Sequence, residues 1–155
     1  MAIIPLQILQ LQEQGTHILI EVNLYETTHL MVLDTGASKT VFDKNQLEKI
    51  HSDQFQLEST DTLSTGLGTN NMESFLIHIP LFKIHDWKIK NYRAAVLDLS
   101  SINYAYEQMN LRPVIGVIGG DILAPYGAVI DYKKKTLKLL KRKLKLKEPF
   151  MNMQT

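Results

Sequence analysis

Short apolar stretches separated by polar breaks dominate the first part of the chain. The stretches AIIPLQILQL (2–11), THILIEVNLY (16–25) and HLMVLD (29–34) are rich in isoleucine, valine and leucine, and QEQG and YETT interrupt them. Runs of this composition bounded by turn residues are typical of consecutive strands. The pattern therefore predicts successive strands joined by tight turns.

The spacing of apolar residues changes after this region. The segment FDKNQLEKIH (42–51) places Leu47 and Ile50 at helical spacing, which predicts a short helix. The segment 60–82 has strand-like flanks around Gly66-Leu67-Gly68 and predicts a hairpin with that tip. Alternation in its second half predicts a half-buried strand with one inward face, made of Phe75, Ile77, Ile79 and Leu81.

The second half of the chain continues with strands and short helical segments. Residues 88–99 predict a strand, and SSINYAYEQMN (100–110) predicts a helix beginning near Ser100 or Ser101, because serine is a preferred N-cap. The last two predicted elements are an apolar strand broken by glycines and followed by a helical turn (114–123), and a hairpin (127–141) turning at Lys133 to Lys135.

Length and composition favour one compact domain. The chain has 155 residues, 45% of them apolar, and no internal repeat or linker. We expect a mostly β domain with two or three short helices over residues 1–148, and a flexible C-terminal tail over 149–155.

Charge and residue usage exclude several classes of protein. The 17 basic and 16 acidic side chains nearly cancel, so the overall charge gives no argument for nucleic acid or a membrane as a partner, and we expect neither. The chain has no cysteine, so disulfides and thiol chemistry are excluded. It shows no secretory signal pattern and no apolar run of the roughly 20 residues needed to span a bilayer. We expect a cytoplasmic protein without stable membrane insertion.

The chemistry of the chain centres on MVLDTGASKT (31–40). An acidic residue directly follows three apolar ones, and we interpret it as a buried carboxylate that needs a partner. Asp34-Thr35-Gly36, preceded by two apolar residues and followed by a small residue and a hydroxyl, has a chance expectation on the order of one in ten thousand.

Three motifs in order resemble the retropepsin-like aspartic proteases. VLDTGAS (32–38) resembles the active-site loop of that family, and VIGGDIL (117–123) resembles its second signature. STGLGTNN (64–71) lies between them, where the family has its flap hairpin. The order of elements matches from about Ile18 to Leu139, and the helix near 100–109 is an insertion relative to the compact viral enzymes. The resemblance implies a closed, barrel-like β domain and an aspartic endopeptidase.

The resemblance also implies roles for single residues. Catalytic roles fall to Asp34, Thr35 and Gly36, and substrate binding to Ala37, Ser38, Gly66, Leu67 and Gly68. Structural support is expected from Gly119 and Asp121, because the glycine lets a neighbouring strand pass close to the loop and the aspartate caps the next turn or bonds the active-site strand. Thr35 is expected to join the two loops of a dimer.

Physical chemistry leads to the same arrangement. Peptide hydrolysis without a metal needs one group to activate water and another to protonate the carbonyl, and two carboxylates sharing one proton supply both. The chain has only one Asp-Thr-Gly. Its partner is therefore expected to be Asp34 of a second copy, which makes the protein a homodimer acting on extended polypeptides, with no metal and no other cofactor.

One position predicts the pH optimum. Pepsin-like enzymes usually carry a serine bonded to the catalytic carboxylate at the position of Ala37, and retroviral enzymes have alanine there. Without a hydrogen bond to the ionised form, we expect a mildly acidic to near-neutral optimum.

Alternative interpretations remain open at this stage. A dimeric peptide-binding or scaffold module with the same fold and no turnover is the main one, because Thr69-Asn70-Asn71 departs from the usual glycine-rich flap. The lysine-rich stretch 133–147 favours an outer or edge strand over an RNA or lipid surface, with Leu137, Leu139, Leu144 and Leu146 facing inward. We also expect the two chain termini to pair across a dimer axis, Trp87 to be a packing anchor, and the five histidines to bind no metal.

Overall fold

A computed structural model describes residues 1–11, 13, 15–50, 57–59 and 74–145. Within these ranges the strands are β1 Ala2–Pro5, β2 Gln7–Leu11, β3 Gly15–Leu24, β4 Thr27–Leu33, β5 Val41–Asp43, β6 Leu57–Ser59, β7 Phe75–Ile84, β8 Trp87–Leu97, β9 Gly116–Ile118, β10 Val129–Asp131 and β11 Thr136–Leu139. The helices are α1 Lys44–Glu48, α2 Ser100–Gln108 and α3 Gly120–Leu123. The prediction of a mostly β fold with two or three short helices is confirmed.

Six strands close into a barrel. They follow the order β3-β4-β9-β5-β8-β7, and a pairing between β3 and β7 completes the ring. The β4–β9 and β5–β8 pairs are parallel, while β9 and β5 are antiparallel. Closure leaves few unpaired strand edges, and the predicted barrel-like domain is confirmed.

Aromatic side chains pack against one another in the core. The ring of Phe82 packs edge-on against Phe42 and Trp87, with centroids 5.7 and 6.4 Å apart. The indole N–H of Trp87 donates to the carbonyl of Leu140 at 3.1 Å, so this buried ring keeps its polar atom paired. The prediction that Trp87 is a packing anchor is confirmed.

One predicted inward position is wrong. Leu81 is 39% exposed, and the neighbouring Phe82 is buried in its place. The face of β7 that points inward changes at Pro80. The pairs on either side, Ile79 with Tyr92 and Leu81 with Lys90, place Pro80 opposite Asn91 of β8. Asn91 has a φ of +53°, so β8 bends there and both strands exchange faces.

The lysine-rich segment forms the middle of a second, three-stranded sheet. β11 lies between β1 and β10, so it is not an edge strand. Leu137 and Leu139 are buried as predicted, whereas Leu144 is 47% exposed and Leu146 lies outside the described residues. β1 pairs with β11 of the same chain, which replaces the pairing of termini expected across a dimer axis.

Helix α2 begins at Ser100, as predicted, but its cap differs from the serine cap on which the prediction was based. Its N-cap is Leu99, which makes no side-chain capping bond, so neither Ser100 nor Ser101 is the N-cap. The carboxylate of Asp98 accepts from the backbone N–H of Ser100 at 2.8 Å and takes over the capping role. Hydrogen bonds from Ser100 lower the pKa of Asp98.

Several predictions fall outside the described residues. They concern the hairpin tip Gly66-Leu67-Gly68 and the tail 149–155. In the part of the chain that the structure describes, no helix is long and apolar enough to cross a membrane.

Candidate active site

The loop that carries Asp34 joins β4 to β5. The backbone N–H of Asp34 donates to the carbonyl of Ile118 at 3.0 Å, which extends the pairing of β4 with β9 by one residue. The N–H of Ala37 then donates to the carbonyl of Asp34 at 3.2 Å and closes a turn. The loop therefore starts from the end of a barrel strand.

The carboxylate of Asp34 is oriented by its own loop. Its Oδ1 accepts from the backbone N–H of Gly36 at 2.9 Å. A Cβ at Gly36 would lie 3.3 Å from that oxygen, so a side chain there would crowd the carboxylate. Asp34 and Thr35 are both exposed on the single chain, so Asp34 is not buried within its own chain. Its burial against a second copy stays a prediction.

The junction between β9 and α3 lies directly against the loop. The N–H of Gly120 donates to the carbonyl of Ala37 at 2.7 Å, and that of Asp121 donates to Ser38 at 3.1 Å. A Cβ at Gly119 would lie 2.7 Å from the carbonyl oxygens of Ala37 and Lys39. Only a residue without a side chain allows this close approach.

A buried threonine links these two segments, and sequence reasoning missed it. Thr40 is 1% exposed, and its N–H and hydroxyl donate to Oδ1 of Asp121 at 2.8 and 2.7 Å. The hydroxyl also accepts from the N–H of Gly119 at 3.0 Å. The available signal was a polar residue immediately before the apolar pair that starts β5.

Tyr92 completes this network from β8. Its hydroxyl donates to Oδ2 of Asp121 at 3.4 Å. Burial, and then the negative charge of Asp121, raise the pKa of Tyr92, so the phenol stays protonated and remains a donor. The carboxylate of Asp121 is thus held by Thr40 at the end of the Asp34 loop and by Tyr92 of β8.

Sequence reasoning also missed Asp43, whose carboxylate accepts hydrogen bonds at the starts of α1 and α2. Asp43 is 1% exposed and caps α1 by accepting from the N–H of Gln46 at 3.1 Å. It also accepts from the N–H of Leu99 at 2.8 Å and faces the amide of Asn103 at 3.4 Å. An aspartate directly before the helical pattern was the signal that could have identified this cap.

A cavity of about 490 Å³ opens beside Asp34. Its apolar wall contains Ile18, Val32, Ile102, Val117 and Ile130. Its polar margin contains Thr16, His17, Thr35 and Tyr132. A slightly larger cavity, of about 510 Å³, lies between α1 and α2 and does not include Asp34. Among the described residues, no cluster of His, Asp and Glu could hold a metal ion.

Comparison with known proteins places the chain in a family. The sequence family described as Aspartyl protease matches residues 20–122, which is more than half of the 155 residues. No curated protein matches the sequence.

Two of the solved structures that match this chain illustrate the shared fold. A retropepsin-like aspartic protease from Rickettsia conorii aligns with a TM-score of 0.53 and 23% identity, covering 88% of this chain and 86% of that chain. The EIAV protease, complexed with the inhibitor HBY-793, aligns with a TM-score of 0.50 and 21% identity, covering 73% of this chain and 90% of that chain. With the Asp-Thr-Gly loop at the end of a barrel strand, these findings agree on one assignment: the chain belongs to the aspartyl protease family and has a retropepsin-like fold.

Proposed function

We propose that the protein is an aspartic endopeptidase whose catalytic centre is a pair of Asp34 carboxylates from two copies of the chain. The observation that carries the proposal is the exposed carboxylate of Asp34, held by the N–H of Gly36 at the mouth of a cavity of about 490 Å³. An oriented carboxylate that faces solvent is available to a substrate and to a second copy.

The proposed reaction uses one ionised and one protonated Asp34. The ionised carboxylate takes a proton from water as the water oxygen bonds to the peptide carbonyl carbon, while the protonated one gives its proton to the carbonyl oxygen. The diol then collapses: the C–N bond breaks, the nitrogen receives a proton, and a hydroxyl proton returns to the pair. These roles belong to the pair and not to either copy.

The other carboxylates near the loop favour a partner from a second copy. Asp43 is buried and engaged with two helix starts, and Asp121 is engaged with Thr40. Neither is free to share a proton with Asp34. A homodimer with a two-fold axis next to Asp34 supplies the missing carboxylate.

Strand β10 offers a surface for that second copy. It is an edge strand of the three-stranded sheet, and Val129 on it is 54% exposed. Ile130 and Tyr132, on and beside this strand, line the same cavity as Asp34. We propose that this edge pairs with its symmetry mate in the dimer, because residues on and beside the strand share a cavity with Asp34.

We propose an extended polypeptide as the substrate, with apolar side chains beside the cut. The cavity wall is largely aliphatic, which favours apolar side chains at this position. Roles in substrate binding for Ala37 and Ser38, and for Gly66, Leu67 and Gly68, stay predictions, as do the 1–148 domain extent and a cytoplasmic location.

A second candidate is a dimeric peptide-binding module without turnover. The Thr69-Asn70-Asn71 segment beside the predicted flap tip favours it, because these residues replace the glycines and apolar residues usual there. Binding of extended peptides without cleavage would identify this function.

One experiment tests the proposal and separates the two candidates. The wild type and the Asp34→Asn variant are incubated with a proteome-derived peptide library, and new termini are identified by mass spectrometry. Asp86→Asn makes the same chemical change on an exposed turn and is the matched control. We expect cleavage by the wild type and the control only. Cleavage that survives Asp34→Asn would remove Asp34 from the mechanism.

A further inference from the structure

Helix α2 is held firmly against the barrel strands that lead to the active-site loop. Its Tyr106 is 1% exposed and packs in a small apolar cluster with Leu19 of β3, Leu30 of β4 and Val114. Because β4 ends one residue before Asp34, the helix is anchored on the strand that positions the catalytic loop.

A polar contact adds to this anchoring. The hydroxyl of Tyr106 lies 2.7 Å from Nδ1 of His17, and their ring centroids are 5.6 Å apart. His17 also lines the cavity beside Asp34. The hydrogen bond therefore ties the helix to the margin of that cavity.

The same face of α2 presents a side chain to the cavity. Ile102 lies one helical turn before Tyr106, and residues four positions apart share a helix face. Ile102 is half-buried, packs against the cluster around Tyr106, and lines the cavity together with Asp34 and Val117. Through Ile102, helix α2 contributes to the wall of this cavity, and the other apolar residues of the wall lie on β-strands.

We propose that Ile102 is a specificity-determining residue that sets the size of the substrate side chain accepted beside Asp34. The inference rests on the proposed function, since it assigns a substrate side chain to the cavity. The chemical class is a large apolar side chain, because the wall that Ile102 completes is aliphatic. A smaller residue at 102 deepens the cavity and a larger one makes it shallower.

The test compares Ile102→Ala and Ile102→Phe with Tyr104→Ala. Tyr104 lies on the same helix, is 65% exposed and does not line the cavity beside Asp34, so its variant is the matched control. The probes are fluorescein-labelled octapeptides that differ only in one central residue: alanine, leucine, phenylalanine or tryptophan. Cleavage is measured as kcat/KM with Asp34 intact, and binding as Kd in Asp34→Asn chains, where no turnover interferes.

We expect Ile102→Ala to shift the tryptophan-to-leucine ratio of kcat/KM upward by about tenfold or more, since a few methyl groups in an apolar pocket discriminate to this extent. Ile102→Phe should shift the ratio downward, and Tyr104→Ala should leave it unchanged. Urea unfolding of each variant checks that the fold is retained. Two variants with opposite expected directions keep the test meaningful if one of them is unstable.

The outcomes separate this inference from the proposed function. If all variants cleave with the same preference for side-chain size, the proposed role of Ile102 is overturned and the proposed peptidase function is supported. A size preference in Kd that follows residue 102, without any cleavage, would support the role of Ile102 and overturn the peptidase. Absence of both binding and cleavage would overturn both.

Discussion

The backbone N–H and the hydroxyl of Thr40 both donate to a single carboxylate oxygen of Asp121, at 2.8 and 2.7 Å. The two residues are 81 positions apart in sequence. Since Thr40 ends the loop that begins with Asp34, and Asp121 lies at the start of α3, this contact joins the Asp34 loop to the β9–α3 junction. We expect the position of Asp34 to depend on this contact.

Thr40→Val tests this contact with little change in shape. The variant loses the hydroxyl that donates to Asp121 and accepts from Gly119, and the buried N–H of Gly119 loses this partner, while the backbone N–H of residue 40 still donates to Asp121. We expect the free energy of unfolding to fall by about 2 kcal/mol in urea denaturation. Thr28→Val makes the same substitution on an exposed part of β4 and should change it by less than about 0.5 kcal/mol. Equal losses in the two variants would contradict this role of Thr40.

Adjacent glycines offer a sharper comparison. A Cβ at Gly119 would lie 2.7 Å from two carbonyl oxygens of the loop, whereas a Cβ at Gly120 would lie 3.5 Å from its nearest neighbour. The φ of Gly119 is −116°, so alanine there meets crowding and no backbone strain. We expect Gly119→Ala to cost about 1–3 kcal/mol in urea unfolding and to displace the loop, with about 100-fold lower kcat/KM. Gly120→Ala should be much closer to the wild type, and the reverse order would refute the proposed packing.

Tyr106→Phe isolates the hydroxyl that contacts His17. Burial raises the pKa of Tyr106, so the phenol stays neutral and its loss removes one hydrogen bond without removing a charge. We expect a loss of about 1 kcal/mol in unfolding free energy and a changed NMR signal of the His17 ring. Tyr104→Phe, on the exposed face of α2, should change neither. An unchanged His17 signal in Tyr106→Phe would show that the contact does not form in solution.

Local patterns predicted the strands because burial repeats along each one. The alternation of Ile77 and Ile79 placed β7 correctly, and the lysine turn placed the β10–β11 hairpin. The same rule failed at Leu81, since a bend opposite Asn91 exchanges the two faces, and that bend depends on the partner strand. Alternation within one strand carries no information about a kink imposed by its neighbour.

The sequence predicted the Asp-Thr-Gly motif of the candidate site, but not the residues that hold its loop in place. Asp34, Thr35 and Gly36 are adjacent in sequence, so a single stretch of the chain identified them. Thr40 and Tyr92 both donate hydrogen bonds to Asp121. These residues are far apart in the sequence and meet only in the folded chain. Asp34 is exposed on the single chain because a carboxylate after an apolar strand can also emerge at the end of a barrel strand, and its burial between two copies stays a prediction.

The pH profile tests the residue at position 37. We expect the wild type to be most active in mildly acidic to near-neutral solution, and maximal activity below about pH 3 would refute this. In Ala37→Ser a hydroxyl can donate to the ionised form of the pair, so the acidic limb of the kcat/KM profile should move toward lower pH. Ala124→Ser, at an exposed position of the turn after α3, should leave the profile unchanged.

Mixed dimers test the sharing of the site most directly. Wild-type and Asp34→Asn chains are unfolded together in equal amounts, refolded, and assayed at the total chain concentration of a wild-type sample. Random pairing yields about one quarter wild-type pairs. A site that needs both carboxylates therefore predicts about one quarter of the wild-type activity, whereas a value of about one half would show that each chain carries a complete site of its own.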